Sequence, residues 1–76
     1  MKEYTFDTEA GNITAQVTPT IEALGDQPWW VVLLGQDGKQ LVSRLLESSS
    51  ALGAATDAVD EYLEEREYNT SFAVSL

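Results

Sequence analysis

Trp29-Trp30-Val31-Val32-Leu33-Leu34-Gly35-Gln36-Asp37-Gly38-Lys39-Gln40-Leu41-Val42-Ser43-Arg44-Leu45-Leu46 decides how the rest of this sequence is read. Two apolar runs, residues 29–35 and 39–46, flank Asp37-Gly38. That dipeptide between strands predicts a two-residue hairpin loop of type I′, whose central positions both need positive φ. The loop sets a register: Leu34 opposite Leu41, Val32 opposite Ser43, Trp30 opposite Leu45. Trp29, Val31, Leu33, Val42, Arg44 and Leu46 then share the other face, because strand side chains alternate. Both faces of the hairpin are mostly apolar.

Upstream, residues 3–7 and 12–18 read as a first hairpin. Tyr4 and Phe6 alternate with polar neighbours, as do Ile13, Ala15 and Val17, and Ala10-Gly11-Asn12 supplies the turn. Pro19 ends the second strand because it has no amide for a ladder. Residues 20–24 suggest one helical turn stopped by Gly25.

Downstream, Ser48-Ser49-Ser50 offers hydroxyls to cap a helix. Leu52, Ala55, Val59, Tyr62, Leu63 and Arg66 recur at helical spacing and predict its buried stripe. Its expected end is near Tyr68, with Asn69 as the stop. Residues 70–76 alternate Phe72, Val74 and Leu76 and read as a last strand. The expected order is β-β-β-β-α-β over a single domain, residues 1–76. This is an α+β fold, an antiparallel sheet of four to five strands with one main helix on one face.

One helix covers one face of a sheet. The expectation places it on the Trp30 side, where Ser43 is small enough to let a helix approach. The Trp29 face then needs another cover: the 19–28 segment, a second copy or a partner. Where the 19–28 segment does not cover it, a weak homodimer or a partner contact through Trp29 is expected, since tryptophan is enriched at interface anchors.

Composition narrows the function. The 76 residues contain no cysteine and no histidine, and thirteen acidic residues face four basic ones for a net charge of −9. Seven aromatic residues set the chain apart from a disordered acidic tail. The charge repels nucleic acid and anionic membranes and attracts basic protein surfaces. The longest apolar run, residues 29–34, is far too short to span a membrane. With no apolar leader at its amino terminus, the chain reads as cytoplasmic.

Catalysis lacks its usual residues. Without histidine or cysteine there is no common general base, no thiolate nucleophile and no ordinary zinc site. The serines at 48–50 have only carboxylates for company, and capping explains them. Gly35-Gln36-Asp37-Gly38 is too short to cradle a phosphate. The chain reads as a non-enzyme with no cofactor and no metal.

The binding feature is the acidic run on the helix. Asp57, Asp60, Glu61, Glu64, Glu65 and Glu67 face Arg66 alone. Asp57–Glu61, Asp60–Glu64 and Glu61–Glu65 are like-charge i,i+4 pairs, each costing roughly 0.2–0.5 kcal/mol. A cluster in the C-terminal half of the helix also opposes the helix dipole. A solvated face usually mixes signs, so two readings stand, a plain solvated acidic face and a partner-binding surface, and the broken local rule makes the second the candidate site. At 1.5 Å rise per residue the six carboxylates stand about one per 2.5 Å. Duplex DNA carries one charge per about 1.7 Å, so a lysine- or arginine-lined groove suits both.

A very short acidic α+β domain with such a run and no catalytic residues resembles the phage-encoded anti-CRISPR proteins. The resemblance covers the whole chain as a type and rests on no shared motif. It implies a host-cell cytoplasmic inhibitor that occludes the nucleic-acid-binding surface of a CRISPR effector. Asp57, Asp60, Glu61, Glu64, Glu65 and Glu67 would make that contact. The alternative is an antitoxin-like or adaptor domain, since the hairpin and helix of 29–67 are similar to small antitoxin domains of the HicB kind.

Overall fold

The computed structural model describes residues 1–20 and 26–75, with side chains described as far as Arg66. The elements are β1 (Lys2–Thr8), β2 (Gly11–Pro19), β3 (Gln27–Leu34), β4 (Gln40–Ser48) and α1 (Ala51–Ser75). The four strands form one antiparallel sheet in the order β1-β2-β3-β4, each hydrogen-bonded to its chain neighbour. The α+β expectation holds, with one helix packed on the sheet.

The strand expected over 70–76 is instead helix as far as Ser75, and Leu76 lies outside the described residues. Alternating apolar residues fit one face of a last strand, but Asn69 is too weak a breaker to end a helix already propagating from Ser50. The helical turn expected at 20–24 falls, beyond Thr20, on residues outside those described. On either side of that segment the Thr20 hydroxyl donates to the Pro28 carbonyl at 2.9 Å.

The helix lies on the Trp29 side of the sheet, which reverses the expected assignment. Ile13, Ala15, Val17, Val31 and Leu33 are buried there under Ala51, Ala54, Ala55, Ala58 and Val59. The first hairpin decides the matter. Val31 and Leu33 sit beside Val17 and Ala15, while Tyr4 and Phe6 lie beside Ala15 and Ile13. This makes one apolar surface across the strands. The Trp30 face is completed by Thr18, Gln16 and Thr14, then by Glu3 and Thr5. Only the first surface repays dehydration by a helix.

The buried stripe also differs from expectation. Alanines carry it, at 51, 54, 55 and 58, while Leu52 is 52% exposed and Arg66 is exposed. Small side chains let a helix backbone lie close to a sheet, and a stripe centred on these alanines turns Leu52 away. Ala55, Val59, Tyr62 and Leu63 are packed as the spacing predicts. At the start of α1 the Ser50 hydroxyl accepts from the Gly53 amide at 3.0 Å, which is the expected cap. A Cβ at Gly53 would come within 2.6 Å of the Ser48 hydroxyl oxygen, so this first turn is built around a glycine.

The central hairpin keeps two of its three expected pairs, Val32–Ser43 and Trp30–Leu45. Leu34 pairs with Gln40 and not with Leu41, because the register shifts between Leu33 and Leu34. The cause is the loop. The Gly38 amide donates to the Gly35 carbonyl, and the Gly35 amide donates to the Lys39 carbonyl. Among the described residues no non-glycine has positive φ, so Asp37 does not, whereas Gly38 has φ of 84°. A type I′ turn is therefore excluded, and the connection resembles a three-residue loop closed by a left-handed glycine. The Asp37 carboxylate accepts from the Lys39 amide at 3.1 Å, the local bond that suits Asp to turns. In the first hairpin the loop is Glu9-Ala10, since Thr8 pairs with Gly11. The Thr8 hydroxyl holds it by donating to the Gly11 carbonyl and accepting from the Ala10 amide.

Candidate functional site

α1 is fixed to the sheet by its alanine face, so its other faces are presented in set directions. Asp57, Asp60 and Glu64 are exposed. Among the described residues none of the three has an ion-pair partner. Asp60 and Glu64 are one turn apart, and Asp57 precedes Asp60 by three residues, so the three form one outward row. The Glu67 side chain lies outside the described residues.

Glu61 and Glu65 behave differently. Arg44 reaches up from β4, its Nη1 donating to Glu61 at 3.3 Å and its Nη2 to Glu65. One guanidinium thus straddles two carboxylates a helical turn apart. The hydrogen bond to Glu65 is the main reason that Arg44 holds its proton more tightly than usual. Burial works against this, and the charges of Glu65 and Glu61 add to it. The same bond keeps the Glu65 carboxyl below the usual glutamate range, against a desolvation effect that raises it and with help from the Arg44 charge. The Arg44 side chain, largely buried at 24% exposure on the face it shares with its register partner Val31, holds the fork in place.

Two parts of the sequence argument change here. The helix runs to Ser75, which places residues 57–67 in its middle. The dipole acts on the first and last turns, so it does not oppose the cluster. The Glu61–Glu65 repulsion is answered by Arg44. Of the six carboxylates named from sequence, two are thus tied to a cation, and the outward row is sparser than duplex phosphate. The missed residue is Arg44, whose place on the Trp29 face aims it at the helix once that face is the covered one. A Glu pair at i,i+4 opposite an arginine is the signal that could have found it.

The tryptophans divide as adjacent strand residues must. Trp29 packs against the core, and its indole Nε1 donates to the Ser48 carbonyl at 2.9 Å. The Trp29 face expected to be open is covered by α1, with Val31 and Leu33 fully buried, so the weak homodimer or partner contact expected there has no open surface. Trp30 is the exposed one, at 46%, beside Leu45 at 56%. With Val32 and Leu34 in the same strand alternation they form an apolar patch on the open sheet face.

Elsewhere, an open groove of about 570 Å³ lies between α1 and the hairpin loops, with Tyr62, Arg66, Asp37 and Leu41 in its lining. Among the described residues no group of three acidic side chains could hold a metal ion, and no helix is long and apolar enough to cross a membrane. Comparison with protein-family models, with curated proteins and with solved structures finds no match for this chain.

Proposed function

We propose that this protein is a non-catalytic inhibitor that docks its acidic helix on a lysine- or arginine-lined protein surface. The occluded surface is one that handles nucleic acid, as in the anti-CRISPR proteins that the chain resembles as a type. The observation that carries the reading is the outward row of Asp57, Asp60 and Glu64, exposed and without a cation among the described residues. An ordinary solvated face places lysine or arginine one turn away from such carboxylates, and here the nearby Arg44 is turned to Glu61 and Glu65. The remaining row is about 10 Å long at 1.5 Å per residue. That is long enough to meet several cations lining a groove.

The experiment is protection of phage DNA from CRISPR interference in cells, with the wild type beside an Asp57→Lys, Asp60→Lys, Glu64→Lys triple variant. The triple variant leaves the Arg44 contacts in place, gives the 57–61 pair mixed signs and exchanges the Asp60–Glu64 repulsion for one of similar size between two lysines, so it keeps the fold. Protection by the wild type, lost in the triple variant, supports the reading. Binding to the purified effector should also weaken steeply as salt rises, because contacts between carboxylates and cations are screened. Protection retained by the triple variant makes the acidic row a solvated face. A wild type that binds a basic toxin and gives no protection favours the antitoxin-like alternative.

A further inference from the structure

We propose that the outer edge of β4 accepts an extended strand from a protein partner, one that alternates lysine or arginine with apolar side chains. This rests on the reading above that the partner is basic, and it names a second and different contact. A sheet edge is a row of unpaired amides and carbonyls, and proteins blunt such edges with charge, proline or bulges. β1, at one edge, carries Lys2, Glu3 and Asp7 along its seven residues. β4, at the other, is nine residues long, and among the described residues no strand pairs with its outer side. Along its nine residues the charges are Arg44, whose guanidinium is turned to the helix, and Glu47, an exposed anion on the open face that suits a basic strand. The register shift blunts the Leu41 end and leaves the stretch beyond it regular.

The occupant follows from what stands above and below this edge. Side chains of an added strand alternate between the two faces of the sheet. Those on the helix side meet Glu61 and Glu65, whose bonds to Arg44 show that they overhang β4. One arginine for two carboxylates leaves room for a further cation. Those on the open side meet Leu45 and then Trp30, both substantially exposed. Backbone pairing supplies affinity in this mode and alternate side-chain contacts supply specificity. A second copy fits poorly, since β4 against β4 would gather two Glu61–Glu65 pairs around two arginines.

The probe is a nine-residue peptide alternating lysine and valine, compared with a peptide of the same composition whose lysines and valines form two blocks. Backbone amide exchange is followed by NMR. The alternating peptide should slow exchange along β4 and leave β1 unchanged, with weaker binding at high salt. Leu45→Lys, at an exposed position, should keep the fold by circular dichroism and weaken binding by roughly tenfold, because the open-side valines of the peptide lose their apolar contact. Should that variant unfold, the exchange map of the wild type decides alone. Equal binding of the blocked peptide, protection confined to β1 or α1, or no binding at all overturns the proposal. A dimer in sedimentation with β4 protected before peptide is added also overturns it, in favour of a second copy. The Asp57, Asp60, Glu64 triple variant should still protect β4 with peptide, so loss of the helix reading and loss of the edge reading are separate results.

Discussion

Replacing Leu33 by alanine, beside the same replacement at Leu45, tests which face of the sheet is the core. Leu33 is fully buried, flanked by Ala15 on β2 and Val42 on β4, in the cluster with the α1 alanines. Those alanines are too short to fill the space a shortened side chain would leave. A buried leucine-to-alanine change costs about 2–5 kcal/mol, the spread reflecting how far the site can collapse. At roughly 0.05–0.15 kcal/mol per residue, a domain of this size has about 4–11 kcal/mol of stability in all. A mid-range loss of about 3 kcal/mol lowers the melting temperature by roughly 12–24 °C in a domain this small. Leu45 is 56% exposed. It forfeits less than half the burial energy of a leucine, about 0.5–1 kcal/mol. Thermal and urea melts followed by circular dichroism give both values, with an unchanged urea slope showing that the unfolded reference is the same. Equal losses in the two variants would mean that the Trp30 face is covered as well. A Leu33→Ala loss within about 1 kcal/mol would refute the placement of α1.

Two further outcomes follow from the helix. The hydrogen bond from Arg44 lowers the Glu65 pKa below the usual range, so the folded carboxyl binds its proton less tightly than the unfolded one. Its contribution is present above the ordinary glutamate range and is lost as pH falls through the lowered folded value. Melting temperatures of wild type and Glu65→Gln should therefore differ near neutral pH and converge in acid; a constant gap across the range would refute the pairing. Ala58 is fully buried between helix and sheet, so Ala58→Leu should cost about 1–3 kcal/mol by overpacking. Leu52→Ala, at a position 52% exposed, should lower the urea midpoint far less, and the reverse order would move the buried stripe.

The strands were legible because alternation and turn residues are local signals. Ile13, Ala15 and Val17 face inward as their spacing requires, and Trp30 pairs with Leu45 as the hairpin predicts. The side on which the helix lies was harder, because residues 29–34 are apolar on both faces and do not choose. The choice is made by β2, where Thr14, Gln16 and Thr18 make the Trp30 side polar. That information was in the sequence, yet it becomes usable only when β2 is known to lie beside β3. The alanine stripe escaped notice for a related reason. Spacing weighted by size finds Ala55 but favours Leu52, whereas closeness of helix and sheet also favours small residues at 51, 54 and 58. The end of α1 was misplaced because alternating apolar residues after Asn69 suit a strand as a pattern, while helix propagation depends on what precedes them. Arg44 looked like one polar residue on an apolar face, and its role needed both the covered side and the Glu61–Glu65 turn.

The placement of charge bears on how a partner could use both surfaces of so thin a protein. The acidic row lies above the helix layer and the Trp30 patch below the sheet, so no flat surface can touch both. A partner that engages both must pass around an edge. At β1 it would meet Lys2, Glu3 and Asp7, a mixed-sign rim that suits no single charge. At β4 it meets Glu61 and Glu65 on one side and Leu45 and Glu47 on the other, joined by backbone that no strand pairs among the described residues. Arg44 has a double consequence there. By taking up part of the helix charge it permits two glutamates to stand close to a sheet edge, and by facing inward it leaves that edge without a cation of its own. A basic strand seated along β4 would therefore extend the sheet while bringing the rest of its protein over Asp57, Asp60 and Glu64. On this geometry the helix row gains its reach from the edge, and losing the edge contact should weaken the proposed inhibition even with every helix carboxylate intact.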